Sequence, residues 1–204
     1  QVLETLEGLC DGRSITVSSG KYTLSTAAFQ TWSNSDQAMK DIDASIINYK
    51  PPVGTKQVIY EFRFIIWYNA STSGYQNGAY DFYIDGNKLG HTLAFQKGHW
   101  ESNFDTIKLI VDIGENDYEN NKILDWNSLK QIKIQMAVAP SKGFVMHKGR
   151  YNNDDYFSAH MPETELLDHP TIKITAIGDG PSYSPATGAN MVHVSDSTYF
   201  STTI

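Results

Sequence analysis

The sequence predicts an all-β protein, an antiparallel β-sandwich of jelly-roll type with extended N- and C-terminal segments. Three observations indicate this fold. Five stretches alternate apolar and polar residues with a period of two, as strands with one buried face do. Residues that favour turns separate these stretches at short intervals. The chain of 204 residues is 12% aromatic and only 19% charged, which is more typical of β-rich extracellular or virion proteins than of helical cytosolic enzymes.

The alternation is strictest from residue 58 onward. Every even position from 58 to 66 is apolar, whereas Glu61 and Arg63 occupy odd positions. The pattern recurs at residues 80–84, 107–113, 132–138 and 172–176. Weaker strand candidates lie at residues 14–17, 21–24, 45–49 and 91–95. Many short strands joined by turns such as Asp85-Gly86-Asn87, a hairpin signal, predict a sandwich.

The chain divides into three parts. Residues 1–44 are predicted to contribute short strands that join the sandwich, and residues 45–178 to form the jelly roll itself. Residues 179–204 contain nine Ser or Thr and no Lys or Arg, and Pro181 and Pro185 interrupt any regular element. This composition predicts an extended C-terminal arm that lies either on its own domain or on a partner in an assembly, and we expect the partner.

Charge and cysteine content exclude several classes of protein. The formal net charge is −7, and no basic stripe is present, so we expect no nucleic-acid partner. No run of about 18 apolar residues occurs, so we expect no membrane insertion. Cys10 is the one cysteine, so neither an intrachain disulfide nor a cysteine-based zinc site can form.

The sequence contains no recognised catalytic or metal-binding motif, so we expect the protein to have no enzymatic activity, no cofactor and no metal site. The sequence lacks the nucleophile elbow, the zinc-protease helix and the glycine-rich nucleotide loops, and no two of its six histidines form a His-x-His pair. Acidic loops at residues 112–117 and 152–155 lack the spacing of a calcium loop, which favours solvated turns. The sequence does not decide whether two carboxylates form a pair that hydrolyses glycosidic bonds, because the fold sets the distance between them.

Four aromatic residues are candidates for contact with a receptor or glycan. Trp67, Tyr68 and Tyr75 surround a polar loop, and Trp100 follows another turn. Flat rings beside amides and hydroxyls suit stacking on a sugar, although rings also fill sandwich edges and subunit interfaces. Asn69 opens an N-glycosylation sequon, which predicts a glycan there if the chain passes through a glycosylating compartment.

The strand predicted at residues 58–68 becomes apolar on both faces towards its end, because Ile65 and Trp67 occupy outward positions. A strand that is apolar on both faces needs a second cover. We predict a subunit interface at these two residues, with a loop of the same chain as the alternative.

Several stretches resemble, in order and spacing, the structural proteins of marine phages and large algal viruses. The resemblance extends over most of residues 9–178. The matching stretches are LCDGRSITVSSGKYTL at 9–24, IINYKPP at 46–52, VIYEF at 58–62, YIDG at 83–86, KGFVMH at 142–147 and PTIKITAIG at 170–178.

That family is similar to the trimeric jelly rolls of complement and tumour-necrosis-factor heads. The resemblance implies a homotrimer at the virion surface, either a fibre or spike head or a capsid decoration protein. It implies contacts with other virion proteins through the termini and a role in host attachment, including contact with host-surface glycans. It implies no catalytic residues. The residues alone leave two alternatives, a secreted carbohydrate-binding module or lectin without catalytic activity and a glycan-active hydrolase.

Overall fold

The computed structural model describes residues 1–32, 38–68, 76–97, 102–139, 144–147 and 169–179. Within these residues the chain forms fourteen strands and two short 3-10 turns, Asp43–Ser45 and Tyr118–Asn120. The strands are β1 (Val2–Leu9), β2 (Ser14–Val17), β3 (Gly20–Thr23), β4 (Gln30–Trp32), β5 (Lys40–Asp41), β6 (Ile47–Tyr49), β7 (Thr55–Tyr68), β8 (Gln76–Ile84), β9 (Asn87–Lys97), β10 (Ser102–Ile113), β11 (Lys122–Ile123), β12 (Lys130–Val138), β13 (Phe144–Met146) and β14 (Thr171–Gly178).

The strands form two main sheets with jelly-roll order. The front sheet runs β1-β14-β7-β10 in antiparallel pairs, with β11 beyond β10 and with β13 pairing β7 and β4. The back sheet runs β5-β12-β8-β9, also antiparallel, and β6 joins it on β12. The main strands cross repeatedly between the two sheets, as in a double-sheet jelly roll. The predicted fold class is therefore confirmed.

The hairpin between β8 and β9 stays within one sheet and forms at the predicted turn. Asp85 and Gly86 both have positive φ angles, 48° and 78°. A two-residue turn with both residues in the left-handed region matches the twist of the strands it joins, and glycine adopts that conformation without strain.

The core lies between the sheets and follows the predicted alternation. Tyr60, Phe62 and Phe64 of β7 are fully buried, as are Ile132 and Ile134 of β12. The rings of Phe62 and Phe64 stack with their centroids 5.0 Å apart. The period-two pattern of the sequence thus identifies the inward faces of the central strands.

The first strand, β1, had no strand signal in the sequence, because some of its inward positions are not apolar. Glu4 and Gly8 are among them. The Glu4 carboxylate accepts hydrogen bonds from Ser18 Oγ (2.5 Å), the Ser19 amide (2.7 Å) and the Tyr49 hydroxyl (2.9 Å). Burial raises the pKa of Glu4, but these hydrogen bonds outweigh it and the net pKa is lowered. A buried carboxylate therefore joins β1 to the β2–β3 hairpin and to β6.

Residues 1–44 contribute strands to both sheets, β1 to the front sheet and β5 to the back sheet. Of the predicted C-terminal arm, Asp179 is described, and residues 180–204 lie outside the described residues.

Candidate functional site

Two connections of the chain, which contain or adjoin the four aromatic residues predicted to contact a glycan, join strands whose ends lie at one end of the sandwich. The chain leaves β7 at Tyr68 and enters β8 at Gln76, and it leaves β9 at Lys97 and enters β10 at Ser102. Ser102 pairs with Trp67, and Gln76 pairs with Lys97. Both connections therefore begin and finish at the same end, which we call the β7–β8 end.

The described backbone fixes two of the four positions. Trp67 pairs with Val145 of β13, and Tyr68 pairs with Phe144. Tyr75, Trp100 and the predicted glycosylation site Asn69 lie outside the described residues. Stacking of these rings on a sugar and modification of Asn69 stay predictions.

The outward surface of β1, β14, β7 and β10, which we call the front face, exposes large apolar side chains. Four of them lie on this face: Val2, Leu9, Phe104 and Ile110. Phe104 is 56% exposed and Ile110 is 43% exposed. The Arg63 guanidinium lies 4.6 Å from the centre of the Phe104 ring and covers only part of it. Apolar and aromatic side chains together with arginine are typical of a protein contact surface.

A row of alternating charge crosses the front face. Glu7 pairs in register with Lys173, Lys173 with Glu61, and Glu61 with Lys108. The charged atoms are 3.6 Å apart in the Lys173–Glu7 pair and 3.8 Å apart in the Lys108–Glu61 pair. Such loose, partly exposed pairs stabilise a fold by at most about 1 kcal/mol. The row is better suited to orienting a charged partner.

The outward surface of β5, β12, β8 and β9, which we call the back face, has a different character. Asp81 is only 5% exposed, and it accepts a hydrogen bond from Thr92 Oγ1 (2.7 Å) and pairs with Lys88 Nζ at 2.8 Å. Asp41 accepts hydrogen bonds from Lys133 Nζ at 2.8 Å and 3.0 Å. The charges of this face are thus matched within the chain.

The predicted subunit interface falls on the front face beside the exposed Phe104 ring. Ile65 pairs in register with Phe104. The Ile65 side chain is 7% exposed within a single chain, so the chain itself already covers it. The side chain of Trp67 lies outside the described set. An interface at Ile65 and Trp67 stays a prediction, whereas the apolar surface open to a partner includes Phe104 and Ile110.

No group of three or more His, Cys, Asp or Glu side chains able to hold a metal occurs among the described residues. In the acidic loop at 112–117, Asp117 accepts hydrogen bonds from the backbone and side-chain nitrogens of Asn120, and Glu115 lies 2.6 Å from Lys122 Nζ. Residues 152–155 lie outside the described residues. Burial raises the pKa of the Cys10 thiol to about 12, which keeps it protonated and unreactive. Within the described part of the chain, no helix is long and apolar enough to cross a membrane.

One unusual residue, His147, gave no signal in the sequence. It directly follows β13, is fully buried, and neither ring nitrogen has a hydrogen-bond partner among the described residues. Burial, with a smaller contribution from His169, lowers the pKa of His147 to about 4. A lone histidine forms no pattern, and a three-residue strand is too short to show a period, so only the fold reveals this site.

No protein-family model matches the sequence, and no curated protein matches it. Among solved structures, the chain is similar to the sugar-binding C-terminal domain of EclA, with 9% identity and a TM-score of 0.35 over 60% of this chain and 75% of that one. It is similar to a structure of infectious bursal disease virus, Gx strain (10% identity, TM-score 0.37), over 84% of this chain but only 37% of the viral one. A third likeness is to CBM35 from Paenibacillus barcinonensis, with 17% identity and a TM-score of 0.26 over 70% of this chain and 92% of that one. No function follows from similarities this distant.

Proposed function

We propose that this chain is a structural protein of the virion surface, a homotrimeric fibre or spike head or a capsid decoration protein without catalytic activity. The observation that carries this proposal is the front face, which presents exposed Phe104 and Ile110 beside a row of alternating charge. Jelly rolls serve repeatedly as building blocks of viral capsids and as lectins. A jelly roll with an outward face that combines exposed apolar side chains and loosely paired charges is suited to assembly.

A second copy of the same chain is the partner that this face suits. Closed homo-oligomers are the commonest assemblies of soluble proteins. Because the charges of Glu7, Lys173, Glu61 and Lys108 alternate in sign and are only loosely paired, a neighbouring copy can present opposite charges to them. The stoichiometry of three, the virion location and contacts of the termini with other virion proteins rest on the sequence resemblance.

The test is the native mass in solution, measured by light scattering. We expect about 68.4 kDa, three times the 22.8 kDa of one chain. Ile110→Asp should reduce the mass to that of one chain while the far-ultraviolet circular dichroism spectrum stays unchanged, because Ile110 is exposed in the single chain. Ile65→Asp is a poorer test, since Ile65 is buried and the charge would also destabilise the fold.

Gln131→Asp provides the matched control, because Gln131 is an exposed residue of β12 on the back face. It should leave the mass unchanged. A wild-type mass of 22.8 kDa at all concentrations would contradict assembly and favour the carbohydrate-binding module. A mass of twice that value would contradict the trimer.

A second function, attachment to host glycans, is favoured by the topology of the β7–β8 end. Both connections that carry or adjoin Trp67, Tyr68, Tyr75 and Trp100 start and finish there. We expect the chain to bind oligosaccharides on a glycan array and Trp100→Ala to weaken that binding. Tyr83→Ala, a change at a half-buried ring of the back sheet, is the control that should leave binding intact. Equal binding by all three proteins would place the glycan contact elsewhere.

A further inference from the structure

His147 lies where two strands meet along one edge of β7. Strand β10 pairs along β7 from Gln57 to Trp67, so β13 and β14 share the other edge. The β13 ladder ends with Met146 opposite Ile66, and the His147 amide extends it by donating to the Ile65 carbonyl at 2.9 Å. After residues 148–168 the described chain resumes at His169, and β14 begins at Thr171, which pairs with Arg63 on the same edge of β7. His147 is thus the last described residue before residues 148–168, and His169 is the first after them.

Several unfavourable features coincide at His147. The side chain is fully buried, both of its ring nitrogens lack a hydrogen-bond partner among the described residues, and its backbone φ is +64°. Buried polar atoms are almost always hydrogen-bonded, and a non-glycine residue with positive φ is uncommon. Such a concentration of unfavourable features at one residue is a reason to look for a function there.

We propose that His147 is an acid-sensitive latch, which holds β13 on the edge of β7 while its ring is neutral and releases β13 when the ring is protonated. The proposal does not depend on the proposed function, because it concerns the stability of one strand within a single chain. The proton comes from solvent and binds a ring nitrogen once β13 has opened.

The surroundings of the ring explain why protonation favours release. An imidazolium carries two N–H donors, each of which needs an acceptor. Strand β7 presents the Phe62 ring, 6.2 Å away and edge-on, and the Ile65 carbonyl, which already accepts the His147 amide. Strand β4 contributes the neutral Gln30 opposite Met146.

From the segment before β14, His169 is the titratable group that acts on the ring, and its charge lowers the pKa of His147 further. No carboxylate among the described residues pairs with His147. Inside the fold the cation therefore has no partner among the described groups, whereas in water it is fully solvated.

The strand that opens is small and supports one neighbour. Strand β13 has three residues, and β4 has no strand partner except β13 among the described strands. Release of β13 should therefore remove the strand partner of β4, which stays bonded to the back sheet through Trp32 Nε1 and the Met136 carbonyl (3.1 Å). It should also expose Phe144 and Met146, which are buried in the core. Opening would turn a closed edge of the front sheet into an apolar one.

Hydrogen exchange of the full chain, followed by mass spectrometry or NMR, tests the latch. With a pKa of about 4 in the closed state and an ordinary value of 6.5 in the open state, the opening equilibrium should rise about 20-fold from pH 7 to pH 5. We expect the protection factors of residues 144–147, corrected for the intrinsic pH dependence of exchange, to fall by that factor. The amides of β12 should keep theirs.

Two substitutions that remove the titrating ring should abolish this response. His147→Asn tolerates the left-handed backbone, and His147→Phe keeps an aromatic ring, so at least one variant is expected to fold. His91→Gln, at an exposed histidine of β9, is the matched control and should behave as the wild type. A wild-type protection factor that is flat between pH 7 and pH 5 would overturn the proposal. So would a fall of the same size in a folded His147 variant.

Discussion

The two outward faces of the sandwich both carry lysine–carboxylate pairs, but the pairs differ in burial and distance. On the front face, Lys108 lies 3.8 Å from Glu61, close to the exposed Ile110. On the back face, Lys88 lies 2.8 Å from Asp81, which is almost completely buried. Among the described residues of the back sheet, Leu93 of β9 is more than a third exposed, and it pairs with the buried Tyr80 rather than with a residue of the outward surface.

The difference indicates that the charge pairs of the back face are in close contact within one chain, whereas those of the front face are only loosely paired. The carboxylates of the back face accept hydrogen bonds from lysine, threonine and glutamine side chains of neighbouring strands, so their charge is used inside the fold. The front face leaves its charges loosely paired and its apolar groups in water. A partner would satisfy both at once, whereas on the back face a partner would have to displace contacts that already exist.

Among single substitutions that test the difference between the two faces, we expect the largest loss of stability from one on the back face. Asp81→Ala should lower the free energy of unfolding by about 2 kcal/mol, because Thr92 and Lys88 lose a buried charged acceptor. Urea denaturation in the Ile110→Asp background measures the effect on a single chain without a contribution from assembly. A loss below 0.5 kcal/mol, the size expected for a surface pair, would show that the two faces do not differ energetically.

The pH dependence of stability sharpens the comparison. Burial raises the pKa of Asp41, but hydrogen bonds from Lys133 and Gln135 outweigh burial, so the net pKa lies below the ordinary value of 3.8. A carboxyl with a lowered pKa in the folded state contributes stability above pH 3.8, and that contribution is lost as the pH falls through the folded pKa.

Asp41→Asn should therefore lose less stability than the wild type when the pH is lowered from 6 to 3. Urea midpoints at the two pH values measure the difference. Lys133→Met, which removes the charged donor, should also flatten the profile, and parallel profiles for all three proteins would contradict the assignment.

The smallest expected effect is on the front face. Glu61→Gln should change the free energy of unfolding of the single chain by less than about 0.5 kcal/mol, because the Lys108–Glu61 pair is loose and partly exposed. The same change should weaken assembly relative to the wild type. This difference between the two proteins should disappear in 1 M salt, which screens the charges in both. A stability loss as large as that of Asp81→Ala would mean that the charge row holds the sheet together rather than serving a partner.

Much of the fold could be predicted because the central strands bury one face and expose the other. Every even position from 58 to 66 is apolar, and the structure buries all five of these side chains in the core. Strand β1 was missed since its inward Glu4 is stabilised by Ser18, Ser19 and Tyr49, residues that are close in space but 14 or more positions away in sequence. The alternation of residues within one strand carries no information about such a long-range contact.

The candidate site was less predictable because it depends on register between strands. The sequence directs attention to Ile65 as an apolar outward residue, yet its own chain covers it. Phe104 stands directly beside it and is exposed, a fact that follows from the pairing of β7 with β10 and from no local pattern. The same holds for Asp41 and Lys133, which lie 92 positions apart.

The pairing of β1 with β14 has a mechanical consequence. Gln1 and Gly178 exchange hydrogen bonds of 2.8 Å and 3.0 Å, at the end of the sandwich opposite the β7–β8 end. A force that pulls Gln1 and Asp179 apart would unzip this antiparallel pair one rung at a time, because the load falls on the terminal bonds first. A force applied between this end and the β7–β8 end would instead shear all rungs together. The domain should therefore withstand a larger force applied along its length than a force that pulls β1 and β14 apart.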